Sequence, residues 1–268
     1  NKEGCLIGNR HKKSKMEVAN GIWKSYAGYS EMLCGVTDDE HIFDNRKKLN
    51  PNRSVLELAN ACSEYKNEVA AVASWDVVPY ILNYRRSQLP IDYKSRHMVS
   101  AQVRCDSVTL NRALKTLGEK HPKLLFVEFC ETDFYGHHGK WNEYLNAAHQ
   151  NDAFIRKLWQ YCQNDEFYKG NTTFIITCDH GRGKSLGLHI NRGEVDPAAS
   201  WTEHGQHIAG SNQTWLVAFG KDIQHLGEVE GGKTIYTKQI APTIASILNV
   251  PFTNGDEQVA TPIYKILK

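Results

Sequence analysis

At 268 residues the chain is long for one domain unless a sheet is covered by helices on both faces. Apolar residues make up 41% and charged residues 23%, the composition of a soluble globular protein. The near balance of 32 basic against 30 acidic residues leaves no electrostatic footprint for a nucleic-acid polymer or an anionic membrane.

No apolar run reaches the roughly 18–20 residues of a membrane span, and residues 1–10 lack the apolar core of a secretory leader. The basic cluster Arg10-His11-Lys12-Lys13 reads as a solvated loop. Tyr26 to Cys34 suits a short helix stopped by Gly35. Val55, Leu58, Ala59 and Cys62 fall on one helical face, and Val69 to Trp75 reads as a weak strand. Leu110, Ala113, Leu114 and Leu117 repeat the helical period before a nearly continuous apolar run, Leu124 to Cys130. A long helix from near Trp141 carries Ile155, Leu158, Trp159 and Cys162, and a second apolar run follows at Thr173 to Cys178. Gly183 to Ser200 has little periodicity and reads as a long loop. Trp215 to Phe219 is another weak strand, and Ile240, Ile244, Ile247 and Leu248 mark a last helix that tolerates Pro242 in its first turn. Continuous apolar strands interleaved with helices predict one α/β domain, a three-layer sandwich around a mostly parallel sheet.

The 7 cysteines include no C-x-x-C pair, which argues against a zinc ribbon or a thioredoxin-like motif. Cys130 and Cys178 each close an apolar run and read as buried thiols. Asn52, Asn171 and Asn212 open glycosylation sequons, a pattern frequent by chance.

In open α/β sheets ligands bind beyond the carboxyl ends of the strands. The run ending at Cys130 leads into Thr132-Asp133-Phe134-Tyr135-Gly136-His137-His138, and the run ending at Cys178 leads into Asp179-His180-Gly181. Glu203-His204-Gly205 precedes the next strand. Singly, each Asp reads as a helix cap and each His as a packed or surface residue. Two Asp/His clusters, each directly after a buried strand, point instead to a divalent metal held by carboxylate and imidazole.

The ordered set Asp133-x-x-Gly136-His137, Asp179-His180-Gly181 and His204-Gly205 resembles the metal signature of the alkaline phosphatase superfamily, especially its type I phosphodiesterase and nucleotide pyrophosphatase branch. Gln239-Ile240-Ala241-Pro242-Thr243-Ile244-Ala245 resembles that family's last core helix, so the likeness runs from about Asn20 to the C-terminus. The resemblance implies one alkaline-phosphatase-like metallohydrolase domain over residues 1–268. It implies one ion on Asp133, His137 and His204 and another on Asp179 and His180, with zinc the first expectation and manganese the second. His138 and His207 are rival neighbours; the four-residue offset favours His137 and the adjoining glycine favours His204.

Ser25 opens a segment, closed by Gly35, that resembles the one carrying the family's nucleophile; its alternative reading is a helix N-cap. Asn45 falls where relatives contact a phosphoryl oxygen, or else serves a turn, and Arg182 and Lys184 are weaker phosphate-clamp candidates. Ala27 and Tyr29 depart from the Cys/Ser-x-Pro-x-Arg of sulfatases. No apolar run ending in Asp precedes Ser25, so the chain resembles a family member lacking its first strand and that strand's metal-ligating Asp. The expectation is a weakened second metal and low activity of this chain as it stands. The implied activity is hydrolysis of a small phosphoric ester through a phosphoseryl intermediate in a periplasmic or extracellular setting. The alternatives are phosphoryl transfer to another acceptor, as in a mutase, and a degenerate member without catalysis.

Overall fold

The computed structural model describes residues 3–184, 200–255 and 258–268, so most of the long loop expected between Gly183 and Ser200 lies outside the described residues. In chain order the elements begin with strands β1 (Gly4–Ile7) and β2 (Met16–Glu17) and helices α1 (Ser25–Cys34) and α2 (Val55–Ala61). Strand β3 (Val69–Ala73), the short helices α3 (Val78–Ile81) and α4 (Tyr84–Ser87), and strand β4 (Ile91–Asp92) follow. Then come α5 (Asp106–Lys120), β5 (Leu124–Glu128), α6 (Glu131–His137) and α7 (Trp141–Asn164). The remaining elements are β6 (Thr173–Thr177), β7 (Gln213–Thr214), β8 (Leu216–Gly220), β9 (Gly227–Glu228), β10 (Ile235–Tyr236) and α8 (Ile240–Ile247). They form two compact units. The first comprises Asn1–Asn45, Pro51–Val55 and Gly170–Lys268; the second comprises Arg46–Asn50 and Leu56–Lys169.

The first unit holds a four-stranded sheet of order β6-β8-β1-β9 and a small sheet of order β10-β2-β7. Strand β8 runs antiparallel to both neighbours, with Ala218 opposite Ile175 on one side and Cys5 on the other. The apolar run after Gly170 is therefore a strand as expected, but with an antiparallel partner. Continuous apolar content reports coverage of both faces and says nothing about strand direction. Cys5, Ile7, Met16, Met32, Leu216, Ala218, Ile240, Ile263 and Ile266 form the core, with Ile244 and Ile247 of α8 packed against it. Helix α1 is buried on nearly every side and ends at Gly35, whose left-handed φ of 72° lets its N–H reach back to the Glu31 carbonyl at 3.0 Å. Strand β1 is followed by Gly8 and Asn9, so no carboxylate stands at its carboxyl end.

The second unit carries the parallel sheet β4-β3-β5, in which Val69 to Ala73 pair residue by residue with Leu124 to Glu128. All of β3 is buried. Helix α5 buries Thr109, Leu110, Ala113 and Leu117, and α7 buries Ala147, Phe154, Leu158 and Cys162. On α7 Phe154, rather than the neighbouring Ile155, completes the stripe, because the buried face is set by Ala147 two turns earlier. None of the described helices is long and apolar enough to cross a membrane, and all seven cysteines are free thiols.

Candidate metal centre and nucleophile

Ser25 is the first residue of α1 and not its cap: Lys24 takes the N-cap position, without a side-chain capping bond. The Ser25 Oγ is buried and lies 3.1 Å from Nε2 of His180. One turn along, Gly28 faces the backbone of Asp179, and a Cβ at Gly28 would fall well inside contact of the Asp179 carbonyl oxygen. Glycine is what lets α1 back directly onto the 179–180 segment. The Tyr26 N–H, one of the donors a helix start leaves unmatched, goes to Oδ1 of Asn45 at 2.9 Å.

His180 holds Nδ1 2.9 Å from the Gly181 carbonyl. A carbonyl accepts and does not donate, so Nδ1 carries a proton, and Nε2 is the ring nitrogen that faces Ser25. That Nε2 also lies 3.3 Å from Oδ2 of Asp179. The loop is fixed where it leaves Gly181, whose N–H donates to the Ser211 carbonyl at 2.8 Å and whose missing side chain would collide with the carbonyls of Gly210 and Gln213. His204 repeats the device: its Nδ1 lies 3.1 Å from the Trp23 carbonyl. The two imidazoles stack with centroids 3.8 Å apart and planes 18° from parallel. The first unit thus brings together Ser25, Asp179, His180 and His204. Next to them, burial pushes the Cys178 thiol up to about 12, with the Asp179 charge adding to the shift, so this sulfur stays protonated and offers no thiolate.

Asp133 and His137 project from α6 one turn apart, with Oδ2 and Nε2 3.5 Å from each other and both side chains half exposed. The start of α6 is clamped by Asp106. Its Oδ1 accepts the Cys130 N–H at 2.8 Å, its Oδ2 accepts the Glu131 N–H at 3.0 Å, and Glu131 returns an acceptor to the Asp106 N–H at 2.9 Å. Burial pushes the Asp106 carboxyl up to about 6; hydrogen bonds from Ser74, Cys130 and Glu131 pull the other way, and the Glu131 charge adds to the rise. Buried Glu128 holds the N–H groups of Ser74 and Trp75 at 2.8 and 2.9 Å.

The rival neighbours and lesser candidates make these contacts instead. His138 closes α6, with Nδ1 2.7 Å from the Phe134 carbonyl and its ring against Phe134. His207 is exposed in a turn with φ 75°. Arg182 directs its guanidinium at the carbonyls of Trp201 and Thr202, at 3.4 and 2.8 Å, where it braces a loop, and Lys184 is exposed. Four residues that sequence reasoning missed shape the surroundings: Asn20, Trp23, Glu31 and Asp106. The one available signal was Glu31, the lone charge in the ten-residue α1 sequence.

The donor set is carboxylate oxygen plus imidazole nitrogen, with Nε2 of His180 and of His204 the ring nitrogen not engaged by a backbone carbonyl. That chemistry suits zinc and its divalent neighbours.

The family model described as the metalloenzyme superfamily matches residues 65–250. Among curated proteins, the chain is 26% identical over 142 residues to the 2,3-bisphosphoglycerate-independent phosphoglycerate mutase of Gracilaria tenuistipitata var. liui. The match covers 53% of this chain and 24% of that protein, so the chain spans about a quarter of the relative's length. Among solved structures, wild-type alkaline phosphatase PafA is similar with a TM-score of 0.66 at 10% identity, over 99% of this chain and 92% of that one. The murine ectonucleotide pyrophosphatase/phosphodiesterase 5 gives 0.61 at 11% identity, over 100% and 92% of the two chains. The lipoteichoic acid synthase LtaP of Listeria monocytogenes gives 0.67 at 10%, over 98% and 67%. At these identities the structures share shape alone. With the family match extending over more than half of its residues, the chain belongs to the metalloenzyme superfamily and has the α/β fold of alkaline-phosphatase-like proteins.

Proposed function

We propose that the chain carries the catalytic centre of a metal-dependent phosphoric-ester hydrolase with Ser25 as nucleophile. The observation that carries this reading is the Ser25 Oγ at the head of α1, 3.1 Å from Nε2 of His180. Asp133, His137 and His204 would hold one divalent ion, and Asp179 and His180 a second, zinc ahead of manganese. When bound, such ions lower the pKa of a hydroxyl beside them and offset the charge of the phosphoryl oxygens.

The rest falls to the chain's own residues. Oγ of Ser25 forms a bond to phosphorus while the bond from phosphorus to the ester oxygen breaks, and the alcohol leaves with a proton. Water then attacks the phosphoseryl phosphorus, and Ser25 recovers its hydroxyl as inorganic phosphate departs. The N-terminal end of α1 favours negative charge at Oγ and at an incoming phosphoryl group. Asn45 spends its amide oxygen on the Tyr26 N–H, so the end it turns to a phosphoryl oxygen is its Nδ2 donor.

The test is Ser25→Ala, assayed on p-nitrophenyl phosphate and on its bis ester with added Zn²⁺ or Mn²⁺. Turnover should fall by at least about 10³-fold, while loss of the one buried hydrogen bond to His180 should lower the melting temperature by only a few degrees, roughly. Full activity in the variant refutes the assignment. A second reading, phosphoryl transfer to an acceptor alcohol, has the mutase match in its favour. It predicts that 3-phosphoglycerate is isomerised to 2-phosphoglycerate faster than phosphate is released.

A further inference from the structure

A single buried carboxylate organises the chain that leads into Ser25. Glu31 lies in the middle of α1 and is 1% exposed. Its Oε1 accepts from the Ala19 N–H at 2.8 Å, the Thr237 hydroxyl at 2.6 Å and the Lys238 N–H at 3.1 Å. Its Oε2 accepts from the N–H of Asn20 at 2.8 Å and from the Asn20 side-chain amide at 2.7 Å. A buried charge is tolerated only with such a set of donors. Asn20, also buried, passes the constraint on: its Oδ1 accepts the N–H groups of Ile22 and Trp23, both at 3.0 Å. Trp23 stands in the left-handed region at φ 52°, a conformation a tryptophan keeps only when its surroundings hold it. The carbonyl of this strained residue is the one that faces Nδ1 of His204 at 3.1 Å, and Ser25 follows two residues later.

We infer that Glu31 and Asn20 are positioning residues that hold Trp23 left-handed, so that its carbonyl fixes His204 with Nδ1 protonated and Nε2 presented. Glu31 anchors the Asn20 amide, and Asn20 pins the two N–H groups of the turn. Without that turn the Trp23 carbonyl loses its aim and His204 loses the partner that selects its tautomer. The inference rests on the proposed metal reading only for what Nε2 is presented to; the tautomer itself stands apart from it.

The test reads the ring directly in the metal-free full chain, by long-range ¹H–¹⁵N correlation at a pH where imidazoles are neutral. His180, held by the Gly181 carbonyl instead, serves as internal reference. In the parent protein His204 is expected as the Nδ1–H tautomer, and Asn20→Ala should move a large fraction to Nε2–H while His180 stays put. Ser30→Ala, a buried change in the same helix outside this network, should leave His204 unchanged. Should Asn20→Ala fail to fold, Trp23→Gly is compared with Trp23→Gly/Asn20→Ala, since glycine takes a left-handed φ without steric cost. The same loss of Nδ1–H is expected between those two. Zn²⁺ affinity, by chelator competition, should fall about 10–100-fold in Asn20→Ala. A folded Asn20→Ala with His204 still Nδ1–H, or an equal shift in Ser30→Ala, overturns the proposal. Absence of zinc uptake by the parent protein would sink the metal reading while the tautomer result still decides this one.

Discussion

In the first unit Ser25 and His180 are buried and the groups around them cross-braced, whereas in the second Asp133 and His137 stand part-exposed on a two-turn helix. His204 and His180 each have Nδ1 committed to a backbone carbonyl, so ring rotation and tautomer are set before any ligand arrives. The Asp133–His137 pair is placed by helical pitch, and its fixed point lies below it, in the Asp106 clamp at the start of α6. The two units store their precision in different places. Around the nucleophile it sits in side-chain bonds to backbone and in glycine contacts, while in the other unit it sits in the grip on a whole short helix.

Among changes to the bracing, Gly28→Ala should have the largest effect on turnover. The added methyl meets the Asp179 backbone, which cannot swing aside as a side chain would. Helix α1 must move, so stability should drop by about 1–3 kcal/mol. Because a displacement near 1 Å at a reacting group costs on the order of 10²-fold, turnover should fall at least that far if the proposed chemistry holds. Gly118→Ala in α5 is the counterpart: its new methyl meets the hydroxyl end of Tyr161, which can give way. Thermal melts and assays on both should show loss for the first alone, and equal tolerance would mean α1 is not wedged against the 179–180 segment.

A smaller effect separates the histidines. If rigidity matters, His204→Ala should reduce Zn²⁺ affinity roughly ten-fold more than His137→Ala, since it deletes the ligand that arrives already oriented. Chelator competition on the two variants measures this, and equal losses would erase the distinction between a braced and an unbraced imidazole.

Much of the frame was legible from sequence because long, strongly apolar segments report themselves. The runs after Lys123 and after Thr172 became β5 and β6, and the periodic segments became α5, α7 and α8. Strands β1 and β2 were not legible: four and two residues are too short for any period to show. The antiparallel set of β8 was equally hidden, since direction is decided by connections and not by composition. At the candidate site, residue types and their order, read through the family resemblance, pointed to Ser25, Asp133, His137, Asp179, His180 and His204; the structure groups Ser25, Asp179, His180 and His204 and sets Asp133 beside His137, and their roles belong to the proposal. Whether Ser25 was a cap depended on one backbone step, which put Lys24 at the cap position. The bracing was out of reach, because Glu31 meets Thr237 across 206 positions and Trp23 meets His204 across 181.

The one expected effect confined to stability and its pH dependence, with no change in turnover or metal affinity to read, concerns Asp106 and tests whether the second unit's clamp is truly buried. Its carboxyl rises from the ordinary 3.8 to about 6 in the folded chain, chiefly through burial. The folded state therefore holds this proton more tightly than the unfolded state, and between pH 4 and 6 folded Asp106 is protonated while unfolded Asp106 is not. Stability from this group is then greatest below pH 4 and declines as pH rises through 6, the reverse of a carboxylate in an ion pair. The full swing corresponds to roughly 3 kcal/mol. Asp106→Asn removes the titration, so the difference between parent and variant stability should change by a large part of that amount between pH 7 and 4. The variant also turns an amide N–H toward one of the N–H groups of Cys130 and Glu131, a pH-independent loss of about 1–3 kcal/mol. Urea titrations at half-unit pH steps separate the sloping part from the constant part. Parallel curves for the two proteins would mean Asp106 titrates near its ordinary value, and that the start of α6 is held by a solvated clamp and not by a buried one.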